Sequence, residues 1–321
     1  MNILEAHRLT KKYNGFTAVA GIDFAIRKGG IFGLLGPNGA GKTTTINMLT
    51  GLANITSGSA ILAGFDCARD IKKAQQLIGI VPDESNLYEE MDGFDNLCFC
   101  GALFGLPKRL RQKRAGELLA RFDLADAGKK PFKAYSKGMK RKLTIAAGII
   151  HAPEILFLDE PTTGIDVASA RQIRRLIQTL NHKGTTVLLT THYIEEAERL
   201  CDRIAFLVGG RIVRTGTLND LMKEVQHENI VQFRLARPLP ELENEISGAF
   251  PSFQTEFTAD GVIRVHSRQA VDIMPLMRFF DQKQLVVYEA KIIQPSLEEV
   301  FVRVTGLEIS KMKQEKEKAK P

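Results

Sequence analysis

The stretch Ile31-Phe-Gly-Leu-Leu35-Gly36-Pro37-Asn38-Gly39-Ala40-Gly41-Lys42-Thr43-Thr44 decides the reading of this chain. Its apolar start predicts a buried strand that runs at once into a Gly-rich turn. Gly36 to Thr43 fits the pattern G-x-x-x-x-G-K-[ST], in the context the pattern requires: a strand before it and a helix after it. The glycines let the backbone turn tightly and aim successive N–H groups inward, which forms a nest for anionic oxygens. The helix that follows presents the positive end of its dipole to the same point. Lys42 is then expected to reach the β- and γ-phosphates of a nucleotide, and the Thr43 hydroxyl to bind Mg²⁺. Gly36, Pro37, Asn38, Gly39, Ala40, Gly41 and Thr44 complete the expected phosphate cradle.

Ile155-Leu-Phe-Leu158-Asp159-Glu160 supplies the other half of such a site. Four apolar residues predict a second buried strand, and two carboxylates stand at its end. In parallel α/β sheets ligands bind at the carboxyl ends of strands. Asp159 is placed to hold Mg²⁺ through water, and Glu160 to polarise an attacking water.

Apolar stretches alternate with helical patterns over the first ~220 residues, which predicts an α/β fold with a largely parallel core sheet. Ile78–Val81, Thr186–Thr190 and Ile204–Val208 read as further buried strands, and Val167–Leu180 and Tyr193–Leu200 as helices. Between Asp92 and Gly148 strand patterns are missing, so that block reads as a helical insert over about residues 85–148. Near Val225 the character changes. Strand-like runs Val231–Leu235, Gly261–Val265 and Leu285–Ala290 are interleaved with helical stretches at Leu239–Ile246 and Ala270–Phe280. That order predicts a small C-terminal α+β domain, β-α-β-β-α-β with an antiparallel sheet. The expected division is a nucleotide-binding domain over 1–224 and an accessory domain over 225–321.

Composition narrows the class. With 44% hydrophobic and 25% charged residues the chain is that of an ordinary globular protein. No apolar run approaches the ~20 residues of a membrane-spanning helix, and Met1–Thr10 has no signal-peptide core. The chain is expected to stay in the cytosol and to reach a membrane only through a partner. Cys67, Cys98, Cys100 and Cys201 show no zinc spacing and are expected to be reduced. The net charge of +7 is uneven. Pro107–Lys142 holds thirteen Lys and Arg against three Asp and Glu, and Lys311–Pro321 five Lys against two Glu. A basic stretch fits nucleic acid, anionic lipid or an acidic partner. The tail fits a solvated end.

Between the two halves of the site lies Tyr135-Ser136-Lys137-Gly138-Met139. With it the first ~220 residues resemble the ATP-binding subunits of ABC transporters, whose signature is commonly Leu-Ser-Gly-Gly-Gln. Ser136 and Gly138 keep the contact positions, while Lys137 and Met139 depart from that form. Ser-x-Gly opening a helix suits a phosphate contact. By the same resemblance Tyr13 matches the aromatic residue that stacks on adenine. Asp166 matches the loop that couples two active sites across a dimer, and His192 the histidine that contacts the γ-phosphate. Asp83 stands where the family carries a Gln that contacts Mg²⁺ and the attacking water. Ser296-Leu-Glu-Glu-Val-Phe301 resembles the C-terminal helix of export-type subunits.

The resemblance implies an α/β P-loop NTPase core of ABC type, with a mixed sheet and a helical subdomain, and an ATPase with ATP and Mg²⁺ as cofactors. It also implies a head-to-tail dimer in which Ser136 and Gly138 of one subunit cap the nucleotide held by Lys42 of the other. A separate integral-membrane permease is the implied partner, at the inner face of the membrane, with an exporter favoured. The alternative is a soluble ABC ATPase acting on nucleic acid or ribosomes, which the basic stretch keeps open. The basic stretch lacks interleaved aromatic residues for base stacking, so nucleic acid is not the expected partner.

Overall fold

The computed structural model describes residues 1–223, 229–236, 242–257, 262–267, 271–293 and 296–307. They form two compact units, whose main spans are Met1–Leu218 and Asn219–Gly306. The expected boundary at 224 and the basic tail Lys311–Pro321 lie outside the described residues.

The first unit opens with β1 (Asn2–Tyr13) and β2 (Phe16–Arg27), followed by β3 (Ile31–Leu35) and α1 (Lys42–Thr50). Next come β4 (Ser57–Leu62), β5 (Phe65–Asp66), α2 (Ile71–Gln75) and β6 (Ile78–Val81). A run of helices follows: α3 (Gly93–Leu103), α4 (Lys108–Arg121) and α5 (Lys137–Ile149). The unit closes with β7 (Ile155–Asp159), α6 (Val167–His182), β8 (Thr186–Thr191), α7 (Ile194–Leu200), β9 (Arg203–Val208) and β10 (Arg211–Gly216).

The central sheet has the order β10-β9-β3-β8-β7-β6 and is parallel except for β10. β3, β7 and β8 are buried at every position, as strands covered on both faces must be, and so show no apolar–polar alternation. Because β7, β8 and β3 are adjacent and parallel, the segments leaving their carboxyl ends converge. A second sheet, β2-β1-β4-β5, is antiparallel. One apolar cluster unites the two sheets and α1 through Leu4, Ile22, Leu34, Ile46, Leu62 and Phe157.

The parallel strands and the helical block stand where the sequence predicts them, whereas the antiparallel sheet was not anticipated. β1 pairs with register shifts at three points beyond its start, and Arg8 has φ 48°. Each bulge breaks the period-2 pattern by which a strand is recognised.

The second unit, entered through α8 (Leu218–Met222), has β11 (Asn229–Leu235), α9 (Leu242–Ala249), β12 (Gln254–Phe257), β13 (Val262–Ser267), α10 (Ile273–Gln282), β14 (Val287–Ile293) and α11 (Leu297–Thr305). Its sheet, β12-β13-β11-β14, is antiparallel throughout. The β-α-β-β-α-β order is the predicted one. Val231, Phe233, Ile263 and Val265 face Ile246 and Phe280 of the two helices in its own core. α11 opens on a capping box in which Ser296 and Glu299 satisfy each other's main-chain N–H.

Candidate functional site

The turn after β3 is glycine-dependent for reasons the geometry makes plain. Gly41 has φ 101°, and a Cβ there would fall 2.5 Å from the Ala18 carbonyl oxygen. A Cβ on Gly36 would fall 2.0 Å from the Leu207 carbonyl oxygen. Both positions therefore reject a side chain through backbone contacts that cannot yield.

Lys42 opens α1 and is buried. Its Nζ donates to the carbonyls of Gly36 (2.8 Å) and Pro37 (3.0 Å) and lies 3.3 Å from Glu160 Oε1. The Thr43 hydroxyl donates to Asp159 Oδ2 at 2.7 Å, and the Thr190 hydroxyl donates to Asp159 Oδ1. Thr43 and Asp159, two of the three residues expected at Mg²⁺ with Asp83, thus already bring their oxygens together.

Glu160 sits at φ 46°, a backbone conformation that non-glycine residues rarely adopt. The surroundings hold it there. Its N–H donates to Thr190, its carbonyl accepts from Arg141, and its Oε2 accepts from the Thr163 hydroxyl at 2.7 Å. His192 Nδ1 approaches the same Oε2 to 2.7 Å, an ion-pair distance without hydrogen-bond alignment. Burial alone would raise the Glu160 carboxyl. The approach of His192, the charge of Lys42 and the Thr163 hydroxyl outweigh it and hold the group down at about 2.

Tyr13 and Phe16 close the hairpin between β1 and β2 through Asn14-Gly15, both at positive φ, and face each other as a cross-strand pair. They are exposed and border an open cavity of about 360 Å³ with Lys42, Thr43, Asp83 and Glu160. Phe16 was not predicted. The Asn-Gly dipeptide was its signal, since a two-residue hairpin puts its flanking side chains on one face.

Ser136, Gly138 and Asp166 are not among the residues lining this cavity. Ser136 caps α5 by accepting from the Met139 N–H, and Asp166 caps α6 by accepting from the Ser169 N–H. Asp83 does line it, and its carboxylate lies 3.9 Å from Arg141 Nη2.

Two further residues escaped the sequence reading. Arg141 is counted there within a basic stretch, yet it is buried, and its guanidinium donates to five main-chain carbonyls: Pro82, Asp83, Asp159, Glu160 and Pro161. Burial lowers its pKa, against the pull of Asp83, Asp159, Glu196 and Glu160. Glu196 is also buried and accepts from the Thr162 hydroxyl at 2.7 Å, tying α7 to the segment after Glu160. A groove of about 370 Å³ lies between β6 and the helical block, lined among others by Ile78, Ile80, Leu87, Leu103 and Phe104.

A glycine nest closed by a lysine, with carboxylates at the end of a nearby parallel strand, defines the P-loop ATPase class. Within that class the chain belongs to the ABC transporter family, as one of its ATP-binding proteins. Residues 19–163 match the family model described as ABC transporter. The linearmycin resistance ATP-binding protein of Bacillus subtilis is 42% identical over 73% of this chain and 75% of its own. The daunorubicin/doxorubicin resistance ATP-binding protein of Streptomyces peucetius is 38% identical over 94% of this chain and 92% of its own. The Nod factor export ATP-binding protein I of Ralstonia nicotianae is 35% identical over 96% and 95%.

Among solved structures, an ATP-binding subunit of an ABC transporter superposes with a TM-score of 0.64 at 29% identity, over 70% of this chain and 93% of the other. A dimeric ATP-binding cassette in a post-hydrolysis state, bound to ADP and phosphate, gives 0.63 at 25% identity over 67% and 98%. The chain is an ATPase, and these relatives do not favour the nucleic-acid alternative. No helix among the described residues is long and apolar enough to cross a membrane.

Proposed function

We propose that this chain is the ATPase of a drug-type exporter and drives a separate permease from the inner face of the membrane. One observation carries the reading: the resistance and export relatives match it over nearly its whole length, second unit included. ATP lies with adenine against Tyr13 and Phe16 and its phosphates in the cradle from Gly36 to Thr44. Thr43 and Asp159 hold Mg²⁺, which offsets phosphate charge when bound.

Lys42 lies between Glu160 and its own loop carbonyls. A γ-phosphate competes for that cation, which frees the Glu160 carboxylate to orient water and raises its basicity. His192 is placed to follow the same exchange. Ser136 and Gly138 act on the nucleotide of a second copy, and Asp166 couples the two sites. The groove between β6 and the helical block receives the permease.

Affinity-tagged chain is expected to carry a multi-span protein out of detergent-extracted membranes. Recovery in a nuclease-sensitive ribosome fraction instead would overturn the reading.

Asp83 places a carboxylate where an amide is usual. Arg141 offsets part of its charge, and the remainder adds to the Mg²⁺ requirement. A half-exposed charge of this kind is worth up to about 1 kcal/mol. Asp83→Gln should therefore move the half-maximal Mg²⁺ concentration for ATPase activity by about two- to fivefold. An unmoved curve with an unchanged maximal rate makes Asp83 a bystander.

A further inference from the structure

The sheet of the second unit ends in an open edge. β14 bonds to β11 on one side, and among the described residues no strand lies on the other. Every residue from Tyr288 to Ile292 is exposed, Tyr288 at 71% and Ile292 at 66%. Edge strands are normally blunted because their unpaired N–H and C=O groups template another strand. β12, at the opposite edge, is blunted: it is four residues long and polar at three of them. β14 is long and carries large apolar side chains into solvent.

The sequence of β14 states what would pair with it. Val287-Tyr-Glu-Ala290-Lys-Ile-Ile293 is self-complementary about Ala290. Two copies of one strand, related by a two-fold axis normal to the sheet, can place a residue opposite only those an even number of positions away, because neighbours face opposite sides. With the axis through Ala290, Glu289 meets Lys291 of the second copy, Tyr288 meets Ile292, and Val287 meets Ile293, each pair occurring twice. Moving the axis to Glu289 sets Glu against Glu, and moving it to Lys291 sets Lys against Lys. Opposite charges and aromatic–β-branched pairs across strands stabilise a register, and like charges destabilise it. Charge complementarity therefore selects one register and one occupant.

We propose that β14 is a self-pairing edge, through which two copies of this chain join antiparallel about Ala290 into one eight-stranded sheet. The contact is isologous. It uses no residue of the nucleotide site, so it differs from the ATP-dependent pairing described above and persists without nucleotide.

Sedimentation velocity of the full chain, free of nucleotide and at low salt, tests this. The parent should form a concentration-dependent dimer. Glu289→Lys and Lys291→Glu each set like charges opposite one another twice and should weaken the dimer by about tenfold or more. The double exchange Glu289→Lys/Lys291→Glu should restore it. Paired strands bring opposed Cα atoms to about 4.5–5.5 Å, within disulfide reach. Ala290→Cys, in a chain with Cys98 and Cys100 replaced by Ser, should therefore cross-link under mild oxidation, while Arg278→Cys, exposed on α10, should not. A chain that stays monomeric at about 100 μM and gives no cross-link rejects the proposal. So does a dimer that neither single charge variant weakens.

Discussion

Glu160→Gln is expected to leave ATP binding intact and to lower turnover by about 100-fold or more, the loss typical when a general base is removed. The amide keeps the shape and the backbone, so the strained φ of 46° is unchanged. It removes the carboxylate that faces Lys42 at 3.3 Å and His192 at 2.7 Å. Lys42 is then held less by residue 160, and ATP affinity should hold or rise. With hydrolysis stopped, the variant should accumulate as an ATP-bound dimer, seen by sedimentation with ATP but not with ADP.

The same substitution changes the acid limb of stability. The Glu160 carboxyl is held at about 2 against an ordinary value near 4.5, so the stability it contributes is complete above about 4.5 and is lost as pH falls through about 2. Gln lacks that dependence, so parent and variant should converge in melting temperature toward about pH 2. A variant that hydrolyses ATP at the parent rate would remove Glu160 from catalysis.

How much of this was legible in the sequence depends on where each residue's environment comes from. The cradle was legible because its chemistry is local: glycines, Lys42 and Thr43 are consecutive, and the strand that aims them is an unbroken apolar run. Asp159 and Glu160 were legible for the same reason. The second unit's order was legible because its strands and helices alternate cleanly in period. The antiparallel sheet was not, since the bulges of β1 scramble the alternation. Phe16 was missed because its partner Tyr13 faces it through a turn that a reading of motifs passes over. Arg141 and Glu196 were missed for a stronger reason. Each is a charged residue among charged neighbours, Lys140 and Lys142 in one case and Glu195 and Glu198 in the other, and only the tertiary fold selects which one is buried.

Arg141→Ala is the change expected to cost the most stability. The guanidinium satisfies carbonyls from two segments that meet only in the fold, Pro82–Asp83 after β6 and Asp159–Pro161 after β7. Each buried carbonyl left unpaired costs about 1–3 kcal/mol, and breaking a buried charge network costs about 3–5 kcal/mol in all. For a unit of this size that is a fall in melting temperature of about 10 °C or more. Lys should rescue little, because one ammonium cannot reproduce a planar fork that reaches five acceptors.

The loss should also reach activity. Arg141 fixes the carbonyl of Glu160, which carries positive φ, and the backbone of Asp83 beside the cavity. It stands in α5, the helix whose first turn is capped by Ser136. The helix that presents Ser136 is therefore bonded, less than two turns later, to the main-chain carbonyl of its own subunit's Glu160. A displacement of α5 would be felt at Glu160 through that guanidinium. Arg141→Ala should thus lower turnover more than ATP affinity, measured below its reduced melting temperature. If the variant melts within 2 °C of the parent (a loss of under about 1 kcal/mol) and hydrolyses ATP at the parent rate, Arg141 is neither the tie between those segments nor the link from α5 to the site.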